Sequence, residues 1–280
     1  MRALPKALDA RRGEAALAGV GRVSWYEDAP GRGGPALLLV HSINAAPSAY
    51  EMKPLFEHYS GSRDVYAIDL PGFGHSARED RAYSPELYAA VLSEFITTVI
   101  GRPTDVVGFS LSAEFVARAQ PRTPAMRSMA LISPTGMSGD RPPASGRGEK
   151  VRRILNLPGL GHALFALLTS RPSIRWFLNL SFVGSPPEDM VDYAWRTTHQ
   201  PGARHAPFWF ISGQLFTRDA WSALYQAVSL PALVLYDRDA NVSFDRLDEL
   251  VAARPNWEAV RIAPTLGLPH WEKPAETAAA

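Results

Sequence analysis

Six short apolar runs, at 36–40, 64–69, 104–109, 129–133, 231–236 and 257–262, alternate along this chain with segments of helical character. Runs such as Ala36-Leu37-Leu38-Leu39-Val40 are apolar at every position, not at every second one. A strand of that kind is buried on both faces, which is the condition of a parallel sheet covered by helices. Helices are expected at 50–59, 85–100, 111–119 and 244–253. Ser84-Pro85-Glu86 opens the second of these as a cap residue followed by proline at the first helical position. Residues 14–27 read as an antiparallel hairpin ahead of the first parallel strand. The expected architecture is therefore α/β, a doubly wound and mostly parallel sheet.

The alternation breaks between Thr135 and Val228. That stretch begins with a loop-like segment at 136–148 and then turns helical, with twelve aromatic residues. It is too long for an ordinary crossover and is expected to be a helical cap over the carboxyl edge of the sheet. The predicted organisation is a core of residues 1–134, a cap of 135–228, and the rest of the core at 229–280. Trp195, Trp209 and Trp221 are expected to line an apolar pocket beneath the cap.

Composition narrows the function classes. Hydrophobic residues make up 46% of the 280 and charged residues 20%, enough apolar material for a large core and too much for a disordered chain. The formal charge is +1 and the arginines are scattered, so no nucleic-acid partner is expected. Cysteine is absent, which removes disulfides, thiolate metal sites and a cysteine nucleophile. The first 21 residues lack the apolar core of a signal peptide. The greasiest stretch, 154–168, is interrupted by Asn156, Pro158 and His162 and is too short to span a bilayer. A cytoplasmic location without stable membrane insertion is the expectation, and oligomeric state is not legible.

The sharpest chemical signal is Val106-Val107-Gly108-Phe109-Ser110-Leu111-Ser112-Ala113. A strand runs directly into a helix with serine at the turn, as in the G-x-S-x-G nucleophile elbow, with Ser112 in place of the last glycine. The turn is tight, so the positions two before and two after the serine must be small. It also points the hydroxyl at a helix N-terminus, where unpaired amides favour developing negative charge.

Two further runs accompany it: Val40-His41-Ser42-Ile43 after one strand, and Asp69-Leu70-Pro71-Gly72-Phe73-Gly74-His75-Ser76 after the next. With these in order ahead of the elbow, the chain resembles the α/β-hydrolase family over roughly residues 20–135 and 229–280. The resemblance implies a Ser110 nucleophile and an oxyanion hole formed by the backbone amides of Ile43 and Leu111. It implies an acid after the strand that follows the cap, which places Asp239 in that role, with Asp237 the alternative. The family's base directly follows a glycine in Gly-His-x-x-x-x-Glu-x-Pro. Aligned on Glu272 and Pro274, that slot holds Gly267 here, and His270 lies three residues beyond. His270 alone follows the last strand and is assigned as base.

Ser110, Asp239 and His270 would form a Ser–His–Asp triad. Serine at the elbow argues against the dehalogenase and epoxide-hydrolase branches, which carry aspartate there. No metal or cofactor is implied. The expected activity is cleavage of a small apolar carboxylic ester through an acyl-enzyme. The alternatives are a carbon–carbon bond hydrolase or perhydrolase with the same triad, and a hydrolase-like ligand-binding or signalling protein with little catalysis.

Overall fold

The computed structural model describes residues 3–17, 19–139, 148–157 and 159–280. Eight strands form one sheet: β1 (Arg11–Leu17), β2 (Gly21–Asp28), β3 (Ala36–Val40), β4 (Val65–Asp69), β5 (Thr104–Phe109), β6 (Met126–Ile132), β7 (Ala232–Arg238) and β8 (Trp257–Leu266). Their order is β1-β2-β4-β3-β5-β6-β7-β8. β1 and β2 pair antiparallel, as expected for the hairpin, and β2 joins β4 antiparallel. Every pairing from β4 through β3, β5, β6 and β7 to β8 is parallel.

The uniformly apolar strands behave as their sequence requires. Successive side chains leave a strand on opposite faces. Leu37 and Leu39 pack with Leu55 and Phe56 of α1 (Lys53–Tyr59). Leu38 and Val40 pack on the other face with Tyr88 of α2 (Pro85–Glu94) and Phe115 of α3 (Ser112–Ala119). Each buried leucine side chain contributes roughly 2 kcal/mol of transfer free energy. Ser84 caps α2 by accepting the Leu87 N–H. The helix expected over 85–100 does not stay α-helical: Phe95–Ile100 is a π-helix closed by Gly101 in the left-handed conformation. Thr97 and Thr98 donate their hydroxyls back to the carbonyls of Ser93 and Glu94, which loosens the last turns.

Between β6 and β7 the described residues form α4 (Gly148–Leu155), α5 (Leu160–Leu168), α6 (Arg171–Asn179), α7 (Glu188–Thr198), α8 (His205–Ile211) and α9 (Ala220–Ala223). Much of the loop-like segment expected at 136–148 lies outside the described residues. α7 is fastened to the core through Tyr50, whose ring stacks on Tyr193 at 4.8 Å and whose hydroxyl donates to Asp189. The chain finishes with α10 (Leu247–Ala253), α11 (Pro269–Glu272) and α12 (Pro274–Ala279). Because the parallel strands run in register, the residues that follow β3, β5, β7 and β8 emerge along one edge of the sheet. Among the described residues no helix is long and apolar enough to cross a membrane.

Candidate active site

β5 ends at Phe109, and the chain reverses at Ser110 with φ of 54°, a left-handed geometry that a non-glycine residue adopts only under constraint. Several contacts hold it there. The Ser110 N–H donates to the Ile132 carbonyl of β6 at 2.8 Å, and the Ser110 carbonyl accepts the Ala113 N–H. A Cβ on Gly108 would lie 3.0 Å from Val116 Cγ2 and 3.3 Å from Ala113 Cα, so a small residue is required there. Ser112, in the other small position, does more than fit. Its hydroxyl donates to the His41 carbonyl at 2.5 Å and ties the elbow to the loop after β3.

Ser110, Leu111 and Ile43 all face a cavity of about 620 Å³ at the carboxyl edge of the sheet. Among the described residues, neither the Ile43 nor the Leu111 N–H donates to another protein group. Both are available to a ligand oxygen. The loop carrying Ile43 is held by Glu51, a residue the sequence did not single out. Glu51 Oε2 accepts the Ser42 N–H at 2.8 Å, and Oε1 accepts the Asn44 amide at 2.9 Å. Nothing in the sequence separates this glutamate from an ordinary first-turn acid, since its role depends on the loop folding back over it.

Asp239 also lines the cavity. Its Oδ1 accepts the N–H groups of Asn241 and Val242, and its Oδ2 has no hydrogen-bond partner among the described residues. Burial raises the pKa of this carboxyl, against the two amides that lower it. Asp237 is turned elsewhere: it accepts from Arg261 Nε at 2.7 Å and from the Thr265 N–H at 2.8 Å, pinning β7 to β8. Burial works against its charge, but those donors hold it below the usual carboxylate range.

The structure does not bring His270 to Ser110 and Asp239, which corrects the assignment made from chain order. His270 sits in α11, fully buried and outside the cavity wall. Its Nε2 donates to the Glu51 carbonyl at 3.0 Å, and its Nδ1 has no partner. The ring packs edge-on to Phe109 at 4.9 Å, and Trp271 Nε1 donates to the same carbonyl at 2.7 Å. His270 is thus a strut beneath the Ile43 loop. Burial pushes its pKa down to about 3.

No other imidazole replaces it, because among the described residues no histidine lines the cavity. His41 Nε2 accepts the Leu70 N–H at 3.0 Å, which leaves Nδ1 to donate to the Ser42 carbonyl at 2.6 Å. Both nitrogens are committed, and burial lowers its pKa. His75 reaches the Pro5 carbonyl. The position facing Asp239 is Gly267: a Cβ there would lie 2.8 Å from Asp239 Oδ2. Among the described residues no group of His, Asp or Glu side chains is placed to hold a metal.

The three tryptophans expected in the pocket are not in its wall. Trp221 is buried under Arg246, and Trp209 and Trp195 lie under Arg152 and Arg171. Phe177, Tyr193, Phe210 and Phe216 line the cavity instead. Tryptophan in a helical insertion packs on its own helices as readily as on a ligand, and sequence does not say which face it takes.

Comparison with known proteins agrees with this architecture. No curated protein matches the sequence. Among solved structures, a serine hydrolase involved in carbazole degradation superposes with a TM-score of 0.75 at 16% identity, covering 96% of both chains. An alpha/beta hydrolase fold protein from Burkholderia ambifaria gives 0.74 at 16% identity over 95% of both chains. A haloalkane dehalogenase from Agrobacterium tumefaciens C58 gives 0.72 at 18% identity, covering 96% of this chain and 94% of that one. At such identities these likenesses concern the fold. The family model described as the alpha/beta hydrolase family matches residues 37–280, and the chain belongs to that family.

Proposed function

We propose that this chain binds a small, largely apolar molecule bearing a carbonyl group, and that Ser110 turns over such a molecule slowly when it is a simple ester. The observation that carries this reading is Gly267, standing beside Asp239 Oδ2 in a cavity whose described residues include no imidazole. The cavity offers a strained serine and two unengaged amides for a carbonyl oxygen. Helices of the proposed 135–228 cap roof it with apolar side chains such as Ile174, Phe177 and Met190. Among its described residues no histidine stands ready to take the Ser110 proton. A positioned general base contributes about 10²–10⁴-fold, so attack unaided by one falls short by that factor. Carbon–carbon hydrolysis and perhydrolysis through a triad meet the same shortfall.

The serine esterase expected from the sequence stands as the second reading, favoured by Ser110 itself, whose left-handed backbone is the costly part of an elbow. Two measurements on the purified protein decide between them. Hydrolysis of p-nitrophenyl esters of increasing acyl length gives turnover, and intact mass after a serine-directed phosphonate gives labelling. Binding with slow turnover and slow labelling is the expected result. Turnover near 10 s⁻¹, ordinary for enzymes, overturns it in favour of the esterase.

A further inference from the structure

We infer that the part of the cavity beside Asp239 Oδ2 is a subsite for a basic nitrogen, an ammonium or imidazolium group, at one end of an otherwise apolar ligand. The inference rests on the ligand-binding reading above and names the class of ligand. The cavity wall carries two carboxylates, Glu51 and Asp239, and among its described residues no lysine, arginine or histidine. These carboxylates are not equivalent. Both Glu51 oxygens already accept from Ser42 and Asn44 within its own loop. Asp239, which lines the cavity, uses only Oδ1, on two backbone amides, and its Oδ2 has no partner among the described residues.

A half-buried carboxylate with one oxygen unmatched gains from a cationic donor, since charge-assisted hydrogen bonds are about twice as strong as neutral ones. Gly267 adds no side chain on that side of the carboxylate, where a Cβ would already crowd Oδ2 at 2.8 Å. The rest of the wall is largely apolar, and Phe177, Ile211 and Phe216 line it while remaining more than a third exposed. One unmatched carboxylate oxygen in an apolar wall fits an amphipathic base, not a carboxylic acid.

The test compares one chain length with four head groups. Octylamine, 1-octylimidazole, 1-octanol and octanoate are titrated calorimetrically into the full-length protein. The two bases should bind about tenfold more tightly than octanol, the order expected of one hydrogen bond to a charged group, and octanoate should bind most weakly. Asp239→Asn retains an oxygen for the Asn241 and Val242 amides, so it should fold, with thermal unfolding as the check. It should bring the amine to within about twofold of octanol. Equal affinities of octanol and the bases, or a preference for bases that survives Asp239→Asn, would overturn the subsite and leave the apolar ligand-binding reading standing. Failure of all four to bind would overturn the subsite, while the ester and phosphonate measurements above decide the ligand-binding reading.

Discussion

On the β3–β5 side of the cavity the groups that shape the two loops have fixed counterparts. Ser110 N–H meets the Ile132 carbonyl, the Ser112 hydroxyl meets the His41 carbonyl, and Glu51 gathers the Ser42 and Asn44 donors. Behind that loop His270 and Trp271 both donate to the Glu51 carbonyl. On the β7–β8 side, Asp239 holds its own loop through Oδ1, and its Oδ2 lies beside Gly267 without a partner among the described residues. On the proposed reading one half of the cavity is a carbonyl receptor, and the other holds an acceptor without a protein donor among the described residues. Pre-organised donors and a general base are separable contributions to catalysis, and among the described residues no histidine lines the cavity to serve as the second.

The largest effect should come from supplying the base. Gly267→His puts an imidazole next to Asp239 in the cavity that Ser110 also lines. kcat/KM for a p-nitrophenyl ester should rise about a hundredfold, the lower end of what a positioned base contributes. Gly267 has φ of 98° and its Cβ would crowd Oδ2, so the variant should also lose stability, by about 1–2 kcal/mol for the disfavoured backbone. Free imidazole added to the unaltered protein tests the same point without that strain. Both gains should vanish when Ser110→Ala is present. If neither treatment accelerates turnover, the elbow side is not competent and the contrast between the halves collapses.

Next in size is Glu51→Gln. A glutamine presents one acceptor and one donor to two donors, so the Ser42 N–H or the Asn44 amide is left unpaired. A buried unpaired donor costs about 2 kcal/mol, readable as a lower urea midpoint. Phosphonate labelling should slow as well, because the Ile43 amide loses its fixed direction. Unchanged labelling would mean that the loop is held by something other than Glu51.

How much of this the sequence disclosed divides along the same line. The strands at 36–40 and 104–109 match β3 and β5 residue for residue, because uninterrupted apolar runs and the glycine-serine turn leave no other reading. Ser110, Ile43, Leu111 and Asp239 come to one cavity because each sits at a strand end, and parallel register carries strand ends to a common edge. His270 failed for a different reason. Its place after β8 was right, but chain order does not give side-chain direction. Proline at 269 starts α11 there and turns the ring inward to Glu51. The shift from the family slot to Gly267 was visible in the sequence. That the slot faces Asp239 was visible only in three dimensions.

The strut role of His270 has its own signature in acid. Burial holds its pKa at about 3 against an ordinary 6.5, so in the folded chain it stays neutral where the unfolded chain takes up a proton. Its contribution is therefore fully present above about 6.5 and is lost as pH falls toward 3. The slope is at most about 1.4 kcal/mol per pH unit. Urea midpoints between pH 7 and 5 should fall less steeply in His270→Gln, whose amide can still donate to the Glu51 carbonyl. His41, also held neutral by burial, contributes equally to both proteins and drops out of the difference. Parallel pH profiles would place His270 outside the folded core.

The smallest effect concerns the bond between the elbow and the Ile43 loop. Ser112→Ala keeps a small residue where the turn needs one and removes only the hydroxyl that donates to the His41 carbonyl. One hydrogen bond is worth about 1 kcal/mol net, so Tm should drop by roughly 2–4 °C in a chain of this size. Phosphonate labelling should be untouched, since the Leu111 amide and the Ser110 backbone do not depend on that hydroxyl. Ser112→Gly should cost about 1 kcal/mol more, because glycine is a poorer residue in the first turn of α3 than alanine. If alanine slowed labelling as strongly as Glu51→Gln, the two loops would be coupled through Ser112, and the receptor half would be a single unit instead of an elbow and a separately anchored loop.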